Sequence, residues 1–589
     1  MKPVGSEKTI VAGSAFLLVV LPLALMFQGM DMTDTGWVLA SNQNFFSAPE
    51  SVSYWFHLWF GNFLGGIWYH LFGSWGLLSF RFAAVLIFWL TAFLTHRVFG
   101  DLVRPSLLFT ALLMGMVFHF GGKITIIHYN NVGTLFLILG AFLLLRWVRT
   151  EKARELAFSG AVFSLAAFTR LPNLAAVLFG LVVVLAGRLQ GRRGRAILRD
   201  LRVFFGGFLL AAVLVLLLMK SLGHLGLYVQ AVKELFSGSA EELSHYGSNT
   251  MEKKFFVDLG RAIFAAFSGL LLLHVFRKVL TRFGGARILG AGAALITILA
   301  VALSWRFLYG EAMPVVYLGV GLSFITTAIL LLLPDTDRGF TKSAAASSAI
   351  ILLVLTVGSD TGMKVASYGL IFAFPLVLRF WLDGPDIRAF LRQESFQTDA
   401  QDSGLSLERS DRRGIFILLL LLYAGFSVPF LYRGTYRDSS LRHKMAYSIE
   451  HPLLRGILTT EARARAVSEA LRELDNRVQP GDELLAFESI PMIHFLTRTR
   501  PYLHNSWPML YLPSEFERNL KKAESREVPL PPVILARTQT RSGSWPNSGA
   551  VSRTETAVRD RAILEGFLQK HRYREVWENG AFRILMPDM

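Results

Sequence analysis

The stretch FQGMDMTDTGWVLASNQNFF, residues 27 to 46, follows directly on an apolar run, TIVAGSAFLLVVLPLALMF, long enough to cross a bilayer. It sets two carboxylates, Asp31 and Asp34, just where the chain leaves that run. Ionisable groups at this depth cost free energy unless a site uses them, which makes the pair a candidate functional site. The alternative is that both only cap a short helix beginning near Asp34, in interfacial water. The spacing Asp-Met-Thr-Asp is not DxD and no His is paired with it, so the case for a divalent metal is weak and no cofactor is implied. Basic residues extend the candidate chemistry. Arg170, Lys220, Arg306 and Lys364 each fall at the outer end of an apolar run, where topology does not require them. Any one of them could snorkel. Their recurrence around the face that carries Asp31 and Asp34 points to an anionic ligand, such as a lipid phosphate, bound by charge-assisted hydrogen bonds.

The elements that must position these residues are membrane helices. Hydrophobic residues make up 53% of the 589, aromatics 13% and charged residues only 17%, against roughly 45 to 50% apolar in soluble domains even with glycine counted. Mean hydropathy is +0.44. The absence of Cys excludes a disulfide framework, thiolate metal sites and cysteine catalysis. Net charge is +17, but many of the basic residues lie in loops between apolar runs, where they set orientation and do not call for nucleic acid. Apolar runs fall near 9–27, 76–96, 105–121, 124–146, 156–170, 172–187, 203–220, 257–276, 288–305, 313–333, 344–358, 366–382 and 414–431. They predict about 13 transmembrane helices, judged against the roughly 20 residues a span requires. RWVRTEKARE, GRLQGRRGRAILRDLR and RKVLTRFGGAR share one side, which the positive-inside rule makes cytoplasmic. The expected setting is the cytoplasmic (inner) membrane, with the N-terminus inside and the C-terminal region outside.

The first outer loop, about 28–75, is rich in aromatics (YWFHLWFGNFLGGIWYHLFG) and reads as amphipathic helices lying in the outer interface. SHYGSNT, with His245, and GSDTGMK, with Asp360 and Lys364, belong to further outer loops. Residues 383–413 read as a polar cytoplasmic linker. Residues 1–432 thus form a transmembrane module, and 433–589 a small extracytoplasmic α/β domain. In that domain ARARAVSEALRELDNRV and RAILEGFLQKHR read as helices, and GDELLAF and PPVILAR as buried strands. YREVWENGAFRILMP reads as a hairpin about Asn579-Gly580.

This organisation resembles the GT-C membrane glycosyltransferases, in particular the bacterial protein-mannosyltransferase and aminoarabinose-transferase branch. The resemblance rests on a first span running straight into an Asp-bearing outer loop with interfacial helices, on Arg81 in LLSFRFAAVL, and on the external α/β domain. Its core is DTGWVLASNQNFF, where Asp34 takes the family's Asp position and Thr35 stands where Glu is usual; Asp31 is the candidate replacement. Between the third and fourth spans, where such enzymes often carry another acid, FGGKITIIHYNN has none and offers His128, Tyr129, Asn130 and Asn131 instead. TRLPN supplies Arg170 and Asn173. Helix-to-helix hydrogen bonding accounts for such polar groups equally well.

The resemblance implies transfer of a sugar from a polyprenyl-phosphate-linked donor to a lipid, glycan or protein acceptor. Such a reaction needs a carboxylate to take the proton of the attacking hydroxyl, the role implied for Asp34, and positive charge to steady the departing phosphate. Phosphate leaves without a proton donor, so one base suffices for direct displacement. A transporter or flippase of lipid-linked saccharide would instead call for charges near the bilayer midplane and an internal repeat. An O-antigen ligase or polymerase would share the donor without so large an external domain.

Overall fold

The computed structural model describes residues 5–238, 253–268, 314–334, 337–359, 361–383, 431–432 and 435–588. His245, Arg306, Asp360, the apolar run near 288–305, and nearly all of the run near 414–431 and of the linker 383–413 lie outside the described residues.

The chain opens with ten helices: α1 (Gly5–Leu25), α2 (Asp34–Asn44), α3 (Trp59–Phe72), α4 (Leu77–Phe99), α5 (Pro105–Phe120), α6 (Tyr129–Thr150), α7 (Ala153–Thr169), α8 (Phe179–Leu189), α9 (Gly194–Ser221) and α10 (Leu225–Gly238). A helical segment at 253–268 follows, then α11 (Pro314–Leu332), α12 (Phe340–Thr356) and α13 (Leu370–Asp383). Among the described residues six helical stretches are long and apolar enough to cross a membrane, and three shorter apolar helices, Pro105–Phe120, Val316–Leu332 and Phe340–Thr356, lie among them. The molecule is therefore a multi-pass α-helical membrane protein.

Packing sorts the spans. The stretch 362–383 is almost wholly buried and α13 within it packs on α5, while α1 lies at the periphery with Phe16 and Val19 exposed. Between these extremes α6 packs on α4 and α7, and α7 on α9. A helix that is apolar all round can do either, so only tertiary packing decides which becomes the axis. One apolar run begins later than its hydropathy implies. The expected span 124–146 starts as a helix only at Tyr129, because Gly122 at φ +57 turns the chain and His128, in an extended conformation, caps α6. Residues 121–128 are thereby left as a loop.

The C-terminal region carries α14 (Glu461–Asp475), α15 (Met492–Thr497), α16 (Pro513–Glu524) and α17 (Glu555–Lys570). Strands β1 (Tyr447–Ser448) and β2 (Leu458–Thr459) pair with each other. A five-stranded sheet has the order β4-β3-β5-β7-β6, from β3 (Glu483–Phe487), β4 (Arg500–Pro501), β5 (Val533–Ala536), β6 (Arg574–Glu578) and β7 (Phe582–Met586). β3 runs parallel to β4 and β5, whereas β7 is antiparallel to β5 and β6. The hairpin closes as Asn579-Gly580 predicts: Asn579 N donates to Phe582 O at 2.9 Å, and the Asn579 Oδ1 accepts from the Ala581 and Phe582 amides.

α2, which precedes the aromatic stretch of the first loop, is an internal helix: every residue from Thr35 to Asn44 is buried, because the helix is sandwiched between the bundle and the sheet-bearing domain. It packs on α15, and a Cβ on Gly36 would come within 2.2 Å of the Met492 amide nitrogen. Only glycine permits that approach of helix to backbone. Gly36→Ala is expected to lower stability by about 1 to 3 kcal/mol through overpacking, read as a fall in the thermal unfolding midpoint of the detergent-solubilised protein.

Candidate active site

The two carboxylates of the first loop have different fates. Asp31 is buried and saturated: its Oδ1 accepts from Thr33 N at 2.9 Å and Thr33 Oγ1 at 2.6 Å, and its Oδ2 from Thr35 N at 2.7 Å. It satisfies amide groups at the start of α2 that have no partner inside the helix. Asp34, the first residue of that helix, makes none of these capping bonds. Its Oδ2 accepts the Tyr436 hydroxyl at 2.5 Å and forms an ion pair with Arg437. Burial pushes the Asp34 carboxyl above its ordinary value, against the opposing pull of Arg437. Of the two readings of the pair, capping describes Asp31 and the available carboxylate is Asp34.

Tyr436 and Arg437 come from the chain beyond the bundle, and a buried network holds them there. Asp438 accepts from Met30 N at 2.6 Å and Thr459 Oγ1 at 2.7 Å, and pairs with Arg463 of α14 at 3.3 Å. Arg463 in turn donates to Met30 O and Arg437 O, both at 2.8 Å. On the bundle side Arg81 of α4 donates to Met26 O at 2.7 Å, to Gln28 O at 3.2 Å and to Gly29 O, fixing the path by which the chain leaves α1. Residues 27–29 then pair with β2, with Gly29 N to Leu458 O and Leu458 N to Phe27 O both at 2.8 Å.

A narrow polar cavity opens beside this assembly. Its lining includes Asp31, Thr35, Arg81, Lys123, Tyr436 and Arg442. Three cations face one carboxylate whose oxygens are already engaged, so the lining favours an anion. Lys123 sits in the 121–128 loop, donates to Lys364 O at 3.1 Å, and lies 5.0 Å from the Tyr368 ring centre. Burial, with Lys364 nearby, lowers its ammonium pKa to about 8. Arg442 donates to Leu431 O at 2.6 Å. The Arg81 Nε is buried without a partner among the described residues.

The remaining sequence-derived candidates divide. Lys364 reaches the cavity only indirectly, through Lys123. Arg170 is turned inward, donating to Leu355 O and Val357 O, both at 2.9 Å, at the end of α12; Lys220 is exposed at the end of α9. Asn131 closes a capping box with His128, and Asn173 Nδ2 donates to Ala166 O at 3.1 Å and Thr169 Oγ1 at 3.2 Å. These are local structural bonds. Tyr129 lies 6.1 Å, ring to ring, from Trp37, which stacks on Trp55 at 3.7 Å; Asn130 caps nothing but accepts from Thr134 Oγ1 through its carbonyl at 2.7 Å. Sequence reasoning missed Lys123, Tyr436, Arg437 and Arg442. A signal for the last three existed: YRGTYRDSSLRHK follows the final apolar run, on the side that the positive-inside expectation puts outside, where basic residues would serve no topological need. Among the described residues no group of three or more His, Asp or Glu is placed to hold a metal.

The geometry carries a pH dependence. Lys123 keeps its charge below about 8, so an anion in the cavity loses one of its three cations as pH rises through that value. Inorganic pyrophosphate binding, followed by calorimetry on the solubilised protein, is expected to weaken several-fold between pH 7 and 9, and Lys123→Arg is expected to flatten that fall.

No family model matches the chain, and no curated protein matches it. Similar solved structures include ArnT from Cupriavidus metallidurans bound to undecaprenyl phosphate, at 12% identity and a TM-score of 0.49 over 98% of both chains. The archaeal oligosaccharyltransferase AglB from Archaeoglobus fulgidus, in complex with an inhibitory peptide and a dolichol-phosphate, is 10% identical with a TM-score of 0.44 over 90% of this chain and 69% of that one. Neither TM-score reaches 0.5, so the chemistry of this chain rests on its own residues.

Proposed function

We propose that this chain is a GT-C-type membrane glycosyltransferase that moves a sugar from a polyprenyl-phosphate-linked donor to a hydroxyl of a lipid, glycan or protein acceptor. The observation that carries this reading is one juxtaposition: Asp34, a carboxylate with a raised pKa and no capping duty, is hydrogen-bonded to Tyr436, which lines a cavity together with Arg81, Lys123 and Arg442. In this reading the acceptor oxygen attacks the anomeric carbon as the bond from that carbon to the phosphate oxygen breaks. The acceptor proton passes to Asp34, and the polyprenyl phosphate leaves with the bonding pair, steadied by the cations. A single displacement inverts the anomeric centre. The raised pKa makes Asp34 a stronger base once deprotonated, so the rate should rise with pH on the acid side and decline as Lys123 loses its proton.

The reading places α2 and the sheet-bearing domain on the outer face of the cytoplasmic membrane. Residues suited to label that face are exposed and the chain has no Cys of its own. Cysteines at Ser47 and Ser525 are expected to react with a membrane-impermeant maleimide in intact spheroplasts, and one at Thr150 only after permeabilisation. Labelling of Thr150 alone from outside would invert the assignment.

Asp34→Asn keeps the shape and removes the proton acceptor. It is expected to lower sugar transfer in native membranes by at least a hundredfold, the low end of what general-base loss costs, with the unfolding midpoint nearly unchanged. Asp31→Asn is expected to lose stability instead, by about 0.5 to 2 kcal/mol, as a weakened helix cap does. Mass spectrometry of co-purifying lipid is expected to find a polyprenyl phosphate in the parent protein and less of it in Arg81→Gln. Full transfer by Asp34→Asn would refute the assignment of the base.

A further inference from the structure

The groups now on Asp34 occupy ground that a reaction needs. A base takes a proton from a hydroxyl held about 2.6 to 3.2 Å away, and the Tyr436 hydroxyl already donates to Asp34 Oδ2 at 2.5 Å. Burial pushes the phenol pKa well above its ordinary value, with the Asp34 charge adding to the shift. Tyr436 is therefore a fixed donor that keeps its proton. Arg437 pairs with the same carboxylate oxygen and donates to Thr33 Oγ1 beside it. Two donors thus already occupy Oδ2, and an acceptor hydroxyl can take that oxygen only by displacing one of them.

The backbone of this segment is anchored unequally. Asp438 is locked from several directions by Met30, Thr459 and Arg463. One residue earlier, Arg437 stands at φ +52, a left-handed conformation that a side chain adopts at a cost of order 1 kcal/mol or more. Thr435 and Tyr436, just before it, line the cavity. A strained pivot thus joins a firmly held residue to a short stretch whose side chains cover the carboxylate. Arg541, from the loop after β5, adds a second positive charge near Asp34 and lies 5.6 Å from the Trp507 ring centre.

We propose that residues 435–437 form a strap that fills the acceptor subsite, with the Tyr436 hydroxyl standing where the acceptor hydroxyl must go, so that the site opens only when an acceptor displaces the strap. This rests on the reading of Asp34 as the base. The strap has two consequences of use to a transferase. It withholds the base from water while no acceptor is present, which limits hydrolysis of the donor, and it leaves Asp34 ready to take up a hydroxyl in the geometry that Tyr436 vacates.

The test reads the strap directly and needs no acceptor. Thr35 is buried and is one of the residues lining the cavity, so Thr35→Cys in this Cys-free chain reports access by its rate of reaction with N-ethylmaleimide in the solubilised full-length protein. Adding Arg437→Gln is expected to speed that reaction at least tenfold, and adding Tyr436→Phe, which keeps the ring and removes only the hydroxyl, to speed it several-fold. Arg437→Lys is expected to restore most of the protection. Equal rates in Thr35→Cys and in the Tyr436→Phe and Arg437→Gln variants, each with an unchanged unfolding midpoint, would overturn the strap. Finding a sugar covalently attached to Tyr436 by peptide mass spectrometry would overturn it too, because the phenol would then be an acceptor in its own right. If access responds as expected while Asp34→Asn leaves transfer in native membranes intact, the strap stands and the assignment of Asp34 as base falls.

Discussion

The Arg463–Asp438 pair is the interaction on which the site depends. Both side chains are essentially excluded from solvent, and their hydrogen bonds reach the loop after α1, the segment beyond the bundle, β2, and the loop at Ser542 and Trp545. A buried pair of this kind contributes little net attraction, since desolvation of the two ions offsets it. Its effect is on geometry: with either partner missing, the other is left as an uncompensated charge, at a cost of roughly 3 to 5 kcal/mol. The arrangement in which all four segments converge is therefore strongly preferred over any in which they do not. Met30 is one of those points of convergence, and Asp34 lies one turn of chain beyond it.

Arg81 complements this from the membrane side. Its guanidinium gathers the carbonyls of Met26, Gln28 and Gly29, groups left without helical partners where α1 ends. The chain leaving α1 is thus pinned from below by Arg81 and from above by Arg463, and its short connection to α2 has little freedom left. Asp31 spends its oxygens closing that connection. Asp34, three residues on, is left to face Tyr436 and Arg437. Two identical carboxylates acquire different chemistry because one is saturated by local amides and the other is presented to a distant segment.

The aromatic first loop follows the same logic. Trp37 and Trp55 stack within the core shared by α2 and the sheet-bearing domain, where a sequence rich in Trp, Tyr and Phe would serve equally well at a lipid interface. Composition cannot separate the two, because each calls for a large apolar surface with a polar edge. What separates them is the contact of Gly36 with the Met492 backbone, which closes the helix against a domain more than 450 residues further along the chain.

Short-range physics was legible in the sequence alone. The hydropathy of the chain requires a bilayer, the turn chemistry of Asn579-Gly580 requires a hairpin, and the apolar runs GDELLAF and PPVILAR require buried strands, and the helix following Asp31 begins at Asp34 as local capping rules imply. These depend on neighbours within a few residues. The division of labour between Asp31 and Asp34, the inward turn of Arg170, and the cavity cations Lys123 and Arg442 were not legible. Tyr436 meets Asp34 across 402 positions of chain, and no spacing within a segment encodes such a meeting. Tertiary structure decided it, through buried charges and close backbone approaches that are satisfied only when the segments come together in one way.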